Sequence, residues 1–268
     1  MDRAAPPHLP AEPLPVRRVL EVREGGFPLH VHPEWQGLWP WLVQGTTGRG
    51  EDGLDMGLFG DVPVGVAHAR WRRLRQATGL GHAVHARQVH GARTVWHDMA
   101  CGAFQLIEDG DGHATAAADL LLTVSVADCV PISLVAPGPR AVALLHGGWR
   151  GVAAGILEAG IRLLATKAAA PPDTLHLHCG PAICGDCYEV GPEVPAALGL
   201  AGRTRPDSGG KVRLDVRAEI ARRALEAGLR LDRITVSGHC TRCGEPAFWS
   251  HRGGCRERQL GVLGVRVA

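Results

Sequence analysis

The sequence predicts a layered α/β fold of the mixed α+β kind: mixed β-sheets in one domain, flanked by helices. Three observations lead there. Short apolar runs recur from Ala83 onward, separated by Gly, Pro and Asp breaks. Three segments carry apolar residues at helical spacing. The run Ala141-Val-Ala-Leu-Leu145 passes through a glycine-rich turn into one of those helices, a strand–turn–helix unit common in layered domains.

The chain has 268 residues, of which 45% are hydrophobic and 21% charged, with a formal net charge of +2. A core burying about three quarters of the unfolded surface is within reach at this length. Ordinary apolar content and low net charge exclude global disorder. Near-neutrality argues against a general nucleic-acid or membrane-surface binder. No apolar run approaches the ~18 residues of a membrane helix. Eight Cys and 14 His stand beside a single Tyr, and this excess needs a chemical account.

Residues 1–16 hold five prolines and two acidic residues with no secretory apolar run. They read as a disordered tail before a single catalytic domain over 17–268, in a cytoplasmic protein with reduced thiols. Residues 35–60 are Gly-rich and predict loops and short strands. Residues 62–77 predict a helix burying Val62, Val66, Ala69, Leu74 and Ala77, with arginines opposite. Residues 83–90 and 92–97 flank Gly91 and predict two strands around a tight turn. Residues 120–126 and 130–135 predict buried strands broken at Asp128-Cys129. After strand 141–145, a helix buries Val152, Ile156, Leu157, Gly160, Ile161 and Leu164. A strand at 175–179, a helix at 216–227 and strands at 234–237 and 261–267 complete the reading.

Three polar residues end apolar strands: His90, Cys129 and His146. Two imidazoles and a thiolate are a ligand set for catalytic zinc, which takes three protein ligands and keeps an open position. The gaps between them match no short zinc motif, so two half-buried histidines and a core cysteine are the alternative. Cys184-Gly-Asp-Cys187 and Cys240-Thr-Arg-Cys243 form two CxxC pairs. These could hold a four-thiolate structural zinc, though 52 residues is a long gap for a zinc ribbon; packing cysteines or a reactive pair is the alternative. His30-Val-His32 and His176-Leu-His178 each put two imidazoles on one strand face. A multicopper oxidase would need several more such pairs, so surface or core histidines fit better. The Gly48–Gly53 match to GxGxxG has no following helix and reads as a polar loop; Walker A, GxSxG and HExxH are absent.

Six ordered motifs carry a resemblance: Gln-Val-His-Gly (88–91), Ala-Asp-Cys-Val-Pro (127–131), His-Gly-Gly-Trp-Arg-Gly (146–151), the stretch 180–191, Cys-Thr-Arg-Cys (240–243) and Phe-Trp-Ser-His-Arg (248–252). From about Trp39 onward the chain closely resembles the YfiH family, also called the laccase-domain or purine nucleoside phosphorylase family. The resemblance implies a YfiH-like (cytotoxic necrotizing factor-like) domain with zinc on His90, Cys129 and His146. It implies phosphorolysis of adenosine, inosine and 5′-methylthioadenosine, with adenosine deamination as a side activity. It also implies that the two Cys pairs are not the family's metal site. Rival readings are a zinc hydrolase editing a cell-wall nucleotide precursor and, less favoured, a copper-dependent polyphenol oxidase. The expected partners are a purine nucleoside and phosphate, without nucleic acid or membrane, in a monomer or small homo-oligomer. Some positions depart from the pattern: Asp55-Met56 stands where Asn-Leu is common, Gly253 where a second Arg often follows, and Gly147 where Ala is common, a change that should leave the His146 ligand in place.

On this reading Arg150 and the turn's N–H groups hold phosphate, with Arg252 as a second contact. Gln88, Gly148 and Trp149 touch the substrate. Asp128 acts as base or holds a ligand imidazole, with capping of the strand end as its alternative.

Overall fold

A computed structural model describes residues 14–60, 62–204, 206–244 and 247–267. Of the tail expected over 1–16, residues 1–13 lie outside the described residues, and 14–16 carry no regular structure.

Four layers stack as helix, sheet, sheet, helix. One seven-stranded sheet runs in the order Arg17–Val19, Ile234–Ser237, His176–Cys179, Val130–Ala136, Ala141–Gly147, Gly112–Thr115, Thr94–His97. The other runs Val22–Glu24, Leu29–Val31, Leu42–Thr47, Gln259–Val265, Leu120–Val126, His82–Ala86, Phe104–Ile107. Both mix parallel and antiparallel neighbours.

Side-chain alternation along a strand explains the layering. In Leu120–Val126, Leu120, Leu122, Val124 and Val126 meet Val135, Val142 and Leu144 of the facing sheet. Leu121 points the other way, with Ala83 and Val262, onto Trp71 and Leu74 of helix Val64–Thr78. On the opposite outer face, Ile132, Leu134, Ala143 and Leu145 pack against helices Ile156–Lys167 and Val216–Glu226. Strands buried on both faces are mostly apolar, which is why the runs at 120–126, 130–136 and 141–147 stand out in the sequence, while buried Gln44, Thr46 and Thr47 make Leu42–Thr47 harder to see.

Three expectations are corrected. Residues 83–90 and 92–97 form no hairpin: His82–Ala86 and Thr94–His97 belong to different sheets, and the chain crosses between layers at Gln88–Arg93. The helix expected at 62–77 spans Val64–Thr78 after Pro63, and buries Ala67, Trp71, Leu74 and Thr78, leaving Val66 exposed. Residues 35–60, read as loops and short strands, begin inside the helix Pro33–Leu38, and then hold the expected strand as Leu42–Thr47, every residue of which is buried. Among the described residues no helix is long and apolar enough to cross a membrane.

Candidate metal centre and cleft

Strand register brings the site together. Pro131 pairs with His146 and Val130 with Gly147, so Cys129, one residue before Val130, lies beside the end of the His146 strand. Leu145 pairs with Gly112, which sets Asp111 next to His146. Thr94 pairs with Gly112, which draws the Gln88–Arg93 crossing to the same sheet end. Cys129 also lies on a crossing, between Leu120–Val126 of one sheet and Val130–Ala136 of the other. The metal-ligand candidates therefore sit where the chain changes layers. Such turns need unusual backbone: His90 has φ 59° and Asp128 φ 84°, in the left-handed region that His and Asp tolerate better than most residues.

The donor atoms of His90, Cys129 and His146 lie within 4.8 Å of one another. The His90 and His146 rings meet edge to face at 4.9 Å. Asp111, fully buried, organises this group. Its carboxylate accepts N–H groups from Val89 (3.1 Å), His90 (3.0 Å) and Gly91 (2.8 Å), and lies 2.8 Å from His146 Nδ1. That contact fixes Nδ1 as the protonated nitrogen and leaves Nε2 as the donor facing Cys129 and His90. Gly148 closes the back of the group, where a Cβ would stand 3.0 Å from His90 Cδ2 and 3.3 Å from Cys129 Sγ. A larger residue there would press on both candidate ligands, whereas glycine leaves them their positions.

Burial pushes the Cys129 thiol up, but the neighbouring His146, with hydrogen bonding to His146 and His90, outweighs it and brings the thiol down to about 6. Burial lowers His146; Cys129 and Asp111 overcome that and raise it to about 9. A thiolate and an imidazole held by a carboxylate suit a divalent cation. In a tetrahedral zinc site donor atoms stand roughly 3.3–3.8 Å apart, within the spread seen here, so the three residues fit the metal.

These ligands form one wall of a cleft of about 720 Å³. Arg87, Arg256, Arg258 and His251 line it, together with Leu58 and Phe59. Asp55 Oδ1 accepts from the backbone N–H of Gly57 and of Arg258, each at 2.9 Å, and so ties the two lips together. Asn offers the same oxygen, so the Asp55 departure leaves this function intact. Gly253 donates its N–H to Ser250 Oγ (3.0 Å) in a tight turn.

The other expected residues sit less centrally. Gln88 lines the cleft, while its amide forms a two-way clamp with the backbone of Ser125 at 2.6 and 2.9 Å. Arg150 stacks on Trp149 at 4.3 Å, beside the centre but outside the lining of the cleft. The Arg252 guanidinium donates to the Glu189 carbonyl (2.7 Å) and covers the Tyr188 ring. Asp128 does not hold a ligand imidazole: Thr241 Oγ1 (2.6 Å) and the Arg252 N–H (2.7 Å) occupy its carboxylate, and Asp111 takes the imidazole. Sequence reasoning missed Asp111, although it stands in the break Asp109-Gly-Asp-Gly112 ahead of a strand, the same kind of position that drew attention to His90. Neither His30/His32 nor His176/His178 joins a group of three or more close donors among the described residues.

The chain is 37% identical over 232 residues to purine nucleoside phosphorylase YlmD of Geobacillus stearothermophilus, covering 80% of this chain and 84% of that protein. The solved YlmD structure matches with a TM-score of 0.79 at 30% identity, covering 91% and 98% of the two chains. Adenosine deaminase RL5, from an unknown prokaryotic organism, is 32% identical over 72% of this chain and 78% of its own. The hypothetical protein YfiH of Bacillus licheniformis shares the fold, with a TM-score of 0.81 at 24% identity over 89% of this chain and 97% of its own. The family described as multi-copper polyphenol oxidoreductase laccase matches residues 44–266. This chain belongs to that family.

Proposed function

We propose that this chain is a zinc-dependent purine nucleoside phosphorylase, acting on adenosine, inosine and 5′-methylthioadenosine, with adenosine deamination as a side activity. The observation that carries the reading is one cleft holding a His–Cys–His donor set beside three arginines. Relatives bearing the phosphorylase and deaminase names support it. When bound, zinc supplies a Lewis acid for a phosphate or water oxygen.

The chain's own residues do the rest. Phosphorolysis brings a phosphate dianion to C1′ of the ribose while negative charge grows on the departing purine. Arg87, Arg256 and Arg258 supply the charge and the N–H donors for the anion. Leu58 and Phe59 offer an apolar face for the base. Asp111 keeps the ligand rings in place, and Arg150, stacked on Trp149 outside the cleft lining, would have to swing from that ring to reach the anion. The Arg252 guanidinium, committed to Glu189 and Tyr188, holds the loop instead. A water in the phosphate position, or attack at the purine 6-position, accounts for hydrolysis or deamination in the same cleft.

Zinc fits the mixed imidazole and thiolate donors better than a multicopper centre, whose clusters would need further histidines at the site. Product analysis on adenosine, with and without phosphate, tests the reading. Adenine and ribose 1-phosphate that appear only with phosphate and zinc are expected. Turnover confined to a cell-wall nucleotide precursor, or phenol oxidation that needs copper, would replace it.

A further inference from the structure

A second set of donors, outside the lining of the cleft, converges from two distant parts of the chain. The Sγ atoms of Cys184, Cys187, Cys240 and Cys243 lie within 4.8 Å of one another, and all four thiols are free. Cys184 Sγ and Cys243 Sγ stand 3.8 Å apart. A disulfide would hold them at about 2.05 Å. Two thiolates on one tetrahedral zinc, with Zn–S near 2.3 Å, stand roughly 3.8 Å apart.

The backbone around them is shaped for thiolates. Cys240 Sγ accepts N–H groups from Cys184 (3.3 Å), Arg242 (3.4 Å) and Cys243 (3.5 Å). Each CxxC closes as a turn, with Cys187 N–H donating to Cys184 O (3.1 Å) and Gly244 N–H to Cys240 O (3.2 Å). A Cβ at Gly244 would lie 2.5 Å from that oxygen, so the second turn requires glycine. A parallel bridge between Ala182 and Cys240 sets the two turns side by side. Arg213 and Arg242 donate to the carbonyls of Asp186 and Cys187, which places two cations beside a centre that would carry excess negative charge.

We propose that Cys184, Cys187, Cys240 and Cys243 form a second metal centre, a tetrathiolate zinc that is structural rather than catalytic. Four protein ligands leave no open position for substrate. What the centre secures is the turn beside Cys129. Ile183 donates its N–H to Asp128 O (3.1 Å), and Thr241, next to Cys240, donates to the Asp128 carboxylate (2.6 Å). Two of the three segments that grip the strained Asp128 are thus joined by the four sulfurs; the third is the Arg252 turn. The long interval between the CxxC pairs is spanned by the fold: strand His176–Cys179, leading to the first pair, is the neighbour of strand Ile234–Ser237, leading to the second. The inference does not rest on the nucleoside reading.

The test counts zinc in full-length protein purified under reducing conditions. Wild type should carry ~2 zinc per chain, and both His90→Ala/Cys129→Ser and Cys184→Ser/Cys243→Ser should carry ~1. The His90→Ala/Cys129→Ser protein should lose thermal stability on chelation. With cobalt in place of zinc it should show the sulfur-to-cobalt charge-transfer bands of a tetrathiolate. If the double serine variant does not fold, the His90→Ala/Cys129→Ser protein decides alone. A His90→Ala/Cys129→Ser protein without zinc, and without those bands, overturns the proposal. So does a Cys184–Cys243 disulfide in the reduced preparation.

Discussion

The Asp111 carboxylate accepts three backbone N–H groups around His90 and contacts the His146 ring, so one buried charge positions two of the three candidate ligands. Asn at this position keeps the size but replaces an acceptor oxygen with a donor amide, which must face an N–H group. Asp111→Asn is therefore expected to weaken zinc binding by about 10–100-fold, read by competition with a chromophoric chelator; unchanged affinity would remove the orienting role. On the cleft side, Arg256 is exposed, and no hydrogen bond from its side chain to the rest of the described chain is seen. Arg258 by contrast donates to the carbonyls of Arg256 and Glu257. Arg256→Ala should raise KM for phosphate by about tenfold or more, from the loss of a charge-assisted hydrogen bond, and leave stability and KM for the nucleoside nearly unchanged. Steady-state kinetics with phosphate varied checks this.

Helix Val216–Glu226, outside the cleft lining, anchors the approach to Cys240. Asp215 caps it, accepting the N–H groups of Arg217 (3.0 Å) and Ala218 (3.4 Å). Buried Arg217 then donates to the carbonyls of Ser237 (2.8 Å) and His239 (2.9 Å), at the approach to Cys240. Loss of the cap in Asp215→Ala should cost about 1 kcal/mol, measured as a shift in the urea midpoint, with zinc affinity at His90, Cys129 and His146 preserved. Elements of this kind were legible in the sequence because apolar spacing reports local conformation. The runs at 120–126, 130–136 and 141–147 and the helix at 216–226 read almost to the residue. Spacing does not report which sheet a strand joins, and so residues 83–97 looked like a hairpin. In helix Val64–Thr78 the indole of Trp71 takes the inner face and rotates the buried stripe away from Val66. His90, Cys129 and His146 were visible as polar residues at breaks in apolar runs. Asp111 and the cleft arginines were not, because their roles arise from register between strands distant in sequence.

Across the whole molecule, burial lowers the pKa of six of the 14 histidines, His30, His32, His85, His97, His113 and His176, and this weakens the fold in acid. His32 stacks on Trp35 at 4.8 Å between the sheets and is fully buried; burial, with His178 beside it, lowers its pKa to about 3. His113, equally buried on the strand Gly112–Thr115, is held well below 6.5 by burial and by His97. In the unfolded chain both titrate near 6.5. Above that pH neither state binds the proton, and the histidines cost nothing. As pH falls below 6.5 the unfolded chain takes up protons that the folded protein refuses, so stability drops by about 1.4 kcal/mol per pH unit for each such residue. Glu21, buried against His178, adds to the loss at lower pH. Burial raises its pKa, but hydrogen bonds to His178 and Ser237 bring it below 4.5, so its contribution fades as pH falls through that lower value. The urea midpoint should accordingly be flat from pH 7.5 to about 6.5 and fall steeply from there to pH 5, with His32→Gln reducing the slope by about one proton. A midpoint unchanged down to pH 5 would mean that these imidazoles accept protons inside the folded protein, and that the packing between the sheets is looser than their burial requires.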